Sequence, residues 1–220
     1  MRPPYETERQ PEYPWLYSLQ GYRYCDLLLW QAEAEDGAGL DGLASDPEKA
    51  WQFKEACEEV RKRGEWMLEG AKAQHFLLDI ALGHLILGRA FLGLALTATG
   101  EESAPEFAQS VEHLDRAVEG LHAGYEDYLA RGLLDRAAFH RLRGNLIAAE
   151  ADLSEAKEIA ERGAMRLHLC DVHLEWARLH LQQENAEATR PHVVAARKLV
   201  EETGYRRRER EIRYLEKRLP

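Results

Sequence analysis

Small and apolar residues recur at helical spacing about every 40 residues through the C-terminal half of the chain. Ser110, Leu114, Ala117, Leu121 and Gly124 form the first set. Ala149, Leu153, Ala156, Ala160 and Gly163 form the second, and Thr189, Val193, Ala196, Val200 and Gly204 the third. Steps of four and three put each set on one stripe of an α-helix, with its glycine placed for a C-terminal cap. The leucine and valine positions are separated by 39 and then 40 residues. A constant step of that size predicts stacked helical repeats, each burying its stripe against its neighbours.

A second self-match extends the array toward the N-terminus. Phe76, Asp79, Ala81, His84, Leu85, Gly88 and Arg89 align at a constant offset of 89 with Met165, His168, Cys170, His173, Leu174, Ala177 and Arg178. The remaining pattern predicts an aromatic helix over 15–30, a glycine- and aspartate-bearing loop over 37–46, and a long helix over 47–70 that starts at Ser45-Asp46-Pro47-Glu48. Antiparallel pairs follow: 73–99 with 105–123, 127–143 with 146–162, and 165–183 with 186–203. Gly144-Asn145 and Glu184-Asn185 stand at matching hairpin turns. A charged helix over 207–219, with Ile212, Leu215 and Leu219 inward, is expected to cap the last repeat. The fold expected is all-α: a right-handed solenoid of about four helix pairs over 13–205, a disordered lead-in over 1–12 and a capping helix over 206–220.

Charge and cysteine usage narrow the classes of partner. The 220 residues carry a net charge of −10, which argues against a general affinity for nucleic-acid phosphate or an anionic membrane. Cys25, Cys57 and Cys170 are odd in number and widely spaced, so buried free thiols in a reducing cytoplasm are expected. The apolar stretch over 75–99 is interrupted by Asp79, His84 and Arg89. One charge at a bilayer centre costs roughly 2.5–3.5 kcal/mol on lenient scales, so a buried repeat helix is the better reading.

Helix pairs of this length, the Gly144-Asn145 turn, and small residues at Ala149 and Ala156 around Leu153 resemble tetratricopeptide repeats. The resemblance covers roughly 76–204. Arg136, Ala137 and His140 depart from the aromatic-rich consensus of the first helix, and the proline that commonly closes a repeat is absent. Tyr17 to Leu28, Leu77-Leu78-Asp79-Ile80-Ala81-Leu82, Arg136 to Arg141 and Glu161-Arg162-Gly163-Ala164-Met165 resemble the C-terminal repeats of bacterial signal-transduction ATPases with numerous domains. That resemblance implies a sensor that receives a ligand or protein and controls an ATPase. No GxxxxGK[ST] phosphate loop occurs here, so such an ATPase would lie outside these residues.

Chemistry-bearing spacings are sparse. No HExxH, CxxC or GxSxG motif is present, which argues against a zinc site or a hydrolase elbow, and no cofactor is expected. Acidic neighbours such as Glu58-Glu59 and Glu201-Glu202 point to different sides of a helix. Glutamates interleave with the arginines of 206–218, diluting their field. The first helices of the pairs offer Asp79, Arg89, Arg136, His140, Arg141, His168, His173 and Arg178 as candidate partner-binding residues, an arginine and histidine set suited to carboxylates. The expected function is therefore a non-catalytic module that binds a protein or peptide segment, or another domain of its own polypeptide, in a concave groove. Charge reversal at Arg89 and Arg178 is expected to weaken binding and leave helicity intact. Two alternatives stand beside it: a scaffold self-associating through Trp15, Tyr22, Tyr24 and Trp30, and a small helical metal-dependent enzyme.

Overall fold

The computed structural model of the chain describes residues 15–33, 37–98 and 103–219. These are helical throughout and contain no strand: α1 Ser18–Glu33, α2 Pro47–Gln74, α3 Leu77–Thr97, α4 Ser103–Leu121, α5 Glu126–Leu142, α6 Leu146–Arg162, α7 Arg166–Gln182, α8 Ala186–Thr203 and α9 Glu209–Glu216. Short 3-10 segments occupy Gly39–Ser45 and Arg206–Arg208. The lead-in expected over 1–12 lies outside the described residues. The chain forms two compact units, each discontinuous in sequence. The first comprises Met1–Ala32 with Pro47–Gly120, and the second Glu33–Asp46 with Leu121–Pro220.

In the first unit α3 is apolar on every side, and every residue from Ala81 to Ala95 is buried. By length and composition it could cross a membrane, but 83% of its apolar window is buried by protein. A helix without a polar face needs neighbours all round, and α2 and α4 supply them at close range. A Cβ on Gly93 would lie 2.3 Å from the Cys57 sulfur of α2, and one on Gly88 would lie 2.7 Å from Leu114 Cγ of α4. Both glycines therefore mark helix contacts too tight for a side chain. The aromatic residues of the N-terminal segment are engaged inside this unit. Trp15 and Tyr17 pack edge-on against Trp66, and the Arg63 guanidinium lies over Tyr24 at 4.6 Å.

The second unit is two hairpins, α5–α6 and α7–α8, covered by α9. The repeating stripe is its core. Ala149, Leu153, Ala156, Ala160, Ala196 and Thr189 are fully buried, and Val193 and Val200 nearly so; in the first unit Ser110, Leu114 and Ala117 are buried in the same way. Asn145 and Asn185 cap α6 and α8 by accepting from the Ala148 and Ala188 amides at 3.3 and 3.0 Å. The residues before them, Gly144 and Glu184, take positive φ to reverse the chain. Ile212 and Leu215 of α9 join Cys170, Leu174, Ala177 and Val193 in one cluster, with Leu219 packed on its edge. A terminal helix is thus spent on covering the last apolar surface.

One glycine differs from its expected role. Gly124 and Gly204 take positive φ, but Gly163 has φ −84° and the left-handed position falls on Ala164. A left-handed alanine costs roughly 1–2 kcal/mol. Gly163 lies beside the flexible end of Met165, whose Cε is 2.5 Å from where a Cβ would stand.

Candidate functional site

The first constellation is a set of polar rungs joining the two helices of a pair. His113, Asp152 and His192 each stand three residues beyond the first small residue of their stripe, which places them one turn on and on the same face. Each meets the first helix of its own pair. His113 Nδ1 lies 2.8 Å from His84 Nδ1, and His192 Nδ1 lies 3.0 Å from His173 Nδ1. Asp152 accepts a bidentate pair of bonds from Arg136 at 2.9 and 2.7 Å, with His140 Nε2 at 3.9 Å. Aromatic rings flank the histidine rungs: Phe91 stacks on His113, and Trp176 stacks on both His180 and His192.

Burial first, and then the positive charge of neighbours, pushes the His84 and His192 imidazoles down to about 4. The two histidine rungs are therefore neutral near pH 7, each with one ring donating and the other accepting. Among the described residues no three or more His, Cys, Asp and Glu side chains come together as a metal site.

The second constellation is an ionic ladder inside the second unit. Arg131, Asp135 and Arg141 come from α5, Asp171, Glu175 and Arg178 from α7, and Arg208 and Glu211 from the C-terminal segment. Glu175 takes Arg141 at 2.6 Å and Arg178 at 3.2 Å. Glu211 takes Arg178 and, at 2.5 Å, Arg208, and Asp171 takes Arg208 at 2.7 Å. Burial alone disfavours the charge on Glu211, yet Arg208 and Arg178 overcome it and hold its carboxyl at about 2. Burial likewise works against Arg141 and Arg178, and the surrounding carboxylates outweigh it and raise both above the ordinary guanidinium value.

One rung of this ladder comes from outside the helices. Asp41, on the 3-10 segment Gly39–Ser45, receives Arg141 Nη1 at 2.8 Å and Nη2 at 3.3 Å. Arg178 Nε lies 3.8 Å from the same carboxylate. The segment is seated closely on the unit: Ala38 is 3% and Leu43 2% exposed, and a Cβ on Gly37 would lie 2.2 Å from the Arg210 carbonyl oxygen. The Arg141 side chain is 5% and that of Arg178 13% exposed, whereas Asp41 keeps 29% of its surface.

The candidate binding residues read from sequence thus fall into three groups. Arg141 and Arg178 share Glu175 and Asp41, while Arg136, His140 and His173 belong to the rungs. Asp79 accepts from Ser18 at 2.8 Å and Arg89 binds Asp26 at 2.8 Å, both partners lying on α1. His168 stands apart at the Asp127 carbonyl, 3.1 Å away. Arg89 is buried and Arg178 largely so, and both are ion-paired, so reversing their charge opposes native contacts. Both residues therefore hold native ion pairs as well as being candidate binding residues. Asp41, Glu175 and Glu211, the acids of this ladder, are absent from the candidate set read from sequence because they lie off the repeating stripe.

A shallow cleft of about 430 Å³ lies between α8 and the C-terminal segment over Val200 and Ile212. Arg197, Arg206 and Arg213 share its rim with Glu201 and Glu209, a mixture that selects no sign of charge. Comparison with protein families, with characterised proteins and with solved structures gave no match. What the geometry defines is a class: an all-helical protein of successive helix pairs with repeat-like register.

Proposed function

We propose that the chain is a non-catalytic binding module, whose second unit receives a carboxylate-bearing segment of a protein or peptide on the first helices of its pairs. The observation that carries this reading is Asp41, a carboxylate on a non-repeat segment, seated on Arg141 and Arg178. A guanidinium fork held by its own buried acids keeps its charge and direction, and such a fork recognises a carboxylate by two parallel bonds. The resemblance to signal-transduction ATPases supports placing the module as the regulatory part of a larger bacterial signalling protein. Its helix pairs are tetratricopeptide-like and wind right-handed within each unit, and its three free buried cysteines suit a reducing cytoplasm. Self-association through Trp15, Tyr22 and Tyr24 gains no support, since those rings are engaged within the first unit.

The test is selection of a random peptide library on the purified chain. Enrichment of peptides with Asp or Glu at one fixed position supports the module. Enrichment without an acid, or none at all, removes it.

A further inference from the structure

We infer that the segment Gly37–Asp46 is an internal ligand of the second unit, occupying the site that a partner's acidic segment takes and regulating access to it. This rests on the binding reading above and adds both the recognised pattern and its control.

Three features separate this segment from an ordinary connection. Its contact with the helices is polar and directed: one carboxylate bridges two guanidiniums that come from different helix pairs. Its apolar contribution is discrete, because Leu43, two residues beyond the acid, is 2% exposed and Ala38, three before it, is 3% exposed. Its backbone is adapted to close approach, with positive φ at Gly37 and Gly39. The close approach is at Gly37, where a Cβ would lie 2.2 Å from the Arg210 carbonyl oxygen; at Gly39 a Cβ would meet Arg178 Nη2 at an ordinary 3.7 Å. Together these are the features of a short recognition peptide, with small residues for approach, an acid for orientation and an apolar anchor.

The ladder explains how such a ligand could leave without collapse. Arg141 and Arg178 each keep Glu175, and Arg178 also keeps Glu211, when Asp41 departs. Removing Asp41 therefore leaves neither guanidinium without a carboxylate, and the carboxylate that goes is itself partly in water. An external segment carrying an acid followed two residues later by an apolar side chain would compete for the same fork. The internal copy has the advantage of attachment, which amounts to an effective concentration on the order of millimolar for short tethers.

A fluorescein-labelled synthetic peptide spanning Gly37–Asp46 tests this on the full chain by fluorescence anisotropy. The Asp41→Asn chain should bind the peptide at least tenfold more tightly than the unaltered chain. The same peptide carrying Asp41→Asn or Leu43→Ser should lose that binding, a control that needs no further change to the protein. Equal affinity in the two chains would overturn the internal-ligand role. Failure of both chains to bind this peptide, while library-selected acidic peptides still bind, would also overturn it and leave the binding module standing. Failure with every peptide removes the module and this inference together.

Discussion

The Nδ1 atoms of His84 and His113 face each other at 2.8 Å across α3 and α4, a distance that admits one proton between them and not two. One imidazole donates and the other accepts, and protonating both sets two donors against each other. Burial works against the charged form of each ring, and Lys72 of α2 and Arg116 of α4 add repulsion that Glu112 offsets at His113. His84 is accordingly held at about 4, below the ordinary value near 6.5. The unfolded chain then binds protons that the native chain refuses, so stability falls as pH drops from about 6.5 to about 4. Above that window these groups contribute no slope. Denaturant midpoints measured at pH 7.5, 6.0 and 5.0 should decline steadily, and His84→Gln with His113→Asn should reduce the decline, leaving the share that His173 and His192 supply. A slope unchanged by that pair would assign the effect elsewhere. Glu211 acts in a separate window, since its stabilisation is lost only as pH falls from about 4.5 toward its value of about 2.

Arg89 binds Asp26 at 2.8 Å with its side chain 8% exposed. Removing one member of a fully buried pair costs roughly 3–5 kcal/mol, an upper bound here because Asp26 is 20% exposed. Arg89→Glu should approach that bound, because it sets a second carboxylate against Asp26. Arg89→Met together with Asp26→Leu should recover most of the loss, since both charges then leave the interior. Thermal melts followed by circular dichroism decide the matter; a fully stable Arg89→Glu chain would mean that the pair contributes nothing.

Much of this architecture was legible in the chain's periodicity because burial of a helix stripe has a period that sequence preserves. All three stripes lie where the 39- and 40-residue steps place them, and the asparagines at the two matching turns cap the following helices. The rungs were partly legible. His84 and His173 appear in the offset-89 match, but their partners His113 and His192 emerge only once the stripe fixes helix register. The ladder was illegible, since Asp41 reaches Arg141 across 100 positions and no local rule links a loop aspartate to a distant helix. Division into two units was equally hidden: the stripes repeat across all three pairs, and repetition carries no sign of where contacts thin.

The close approach of α3 and α4 yields a compensation test. Gly88→Ala places a Cβ 2.7 Å from Leu114 Cγ and 3.1 Å from the Leu114 backbone nitrogen, an overpacking expected to cost about 1–3 kcal/mol. That exceeds the roughly 1 kcal/mol alanine gains over glycine in a helix. In the second unit Ala177 and Val193 hold the matching positions and share one buried cluster, so the larger residue on one helix is met by a smaller one on the other. Gly88→Ala with Leu114→Val should therefore recover most of the stability lost by Gly88→Ala alone. Urea denaturation of the two single variants and the double gives the coupling, and simple additivity would show that the positions do not pack against each other.

Cys25 and Cys170 provide a readout of opening that needs no added label site. Both are fully buried, and burial, the largest influence on each, pushes their thiols up to about 12. The thiolate is the reactive form and an ordinary cysteine has a pKa near 8.5, so the native protein at pH 8 presents almost none of it. Reaction with an aromatic disulfide reagent should be slow in buffer and fast in denaturant. Because Cys25 lies in the first unit and Cys170 in the second, single-cysteine chains report the opening of each separately. The Arg89→Glu change should accelerate labelling of Cys25 by opening the first unit, against the loss of a positive charge that lowers this thiol. Rapid labelling of the unaltered native chain at either position would contradict the packing that surrounds it.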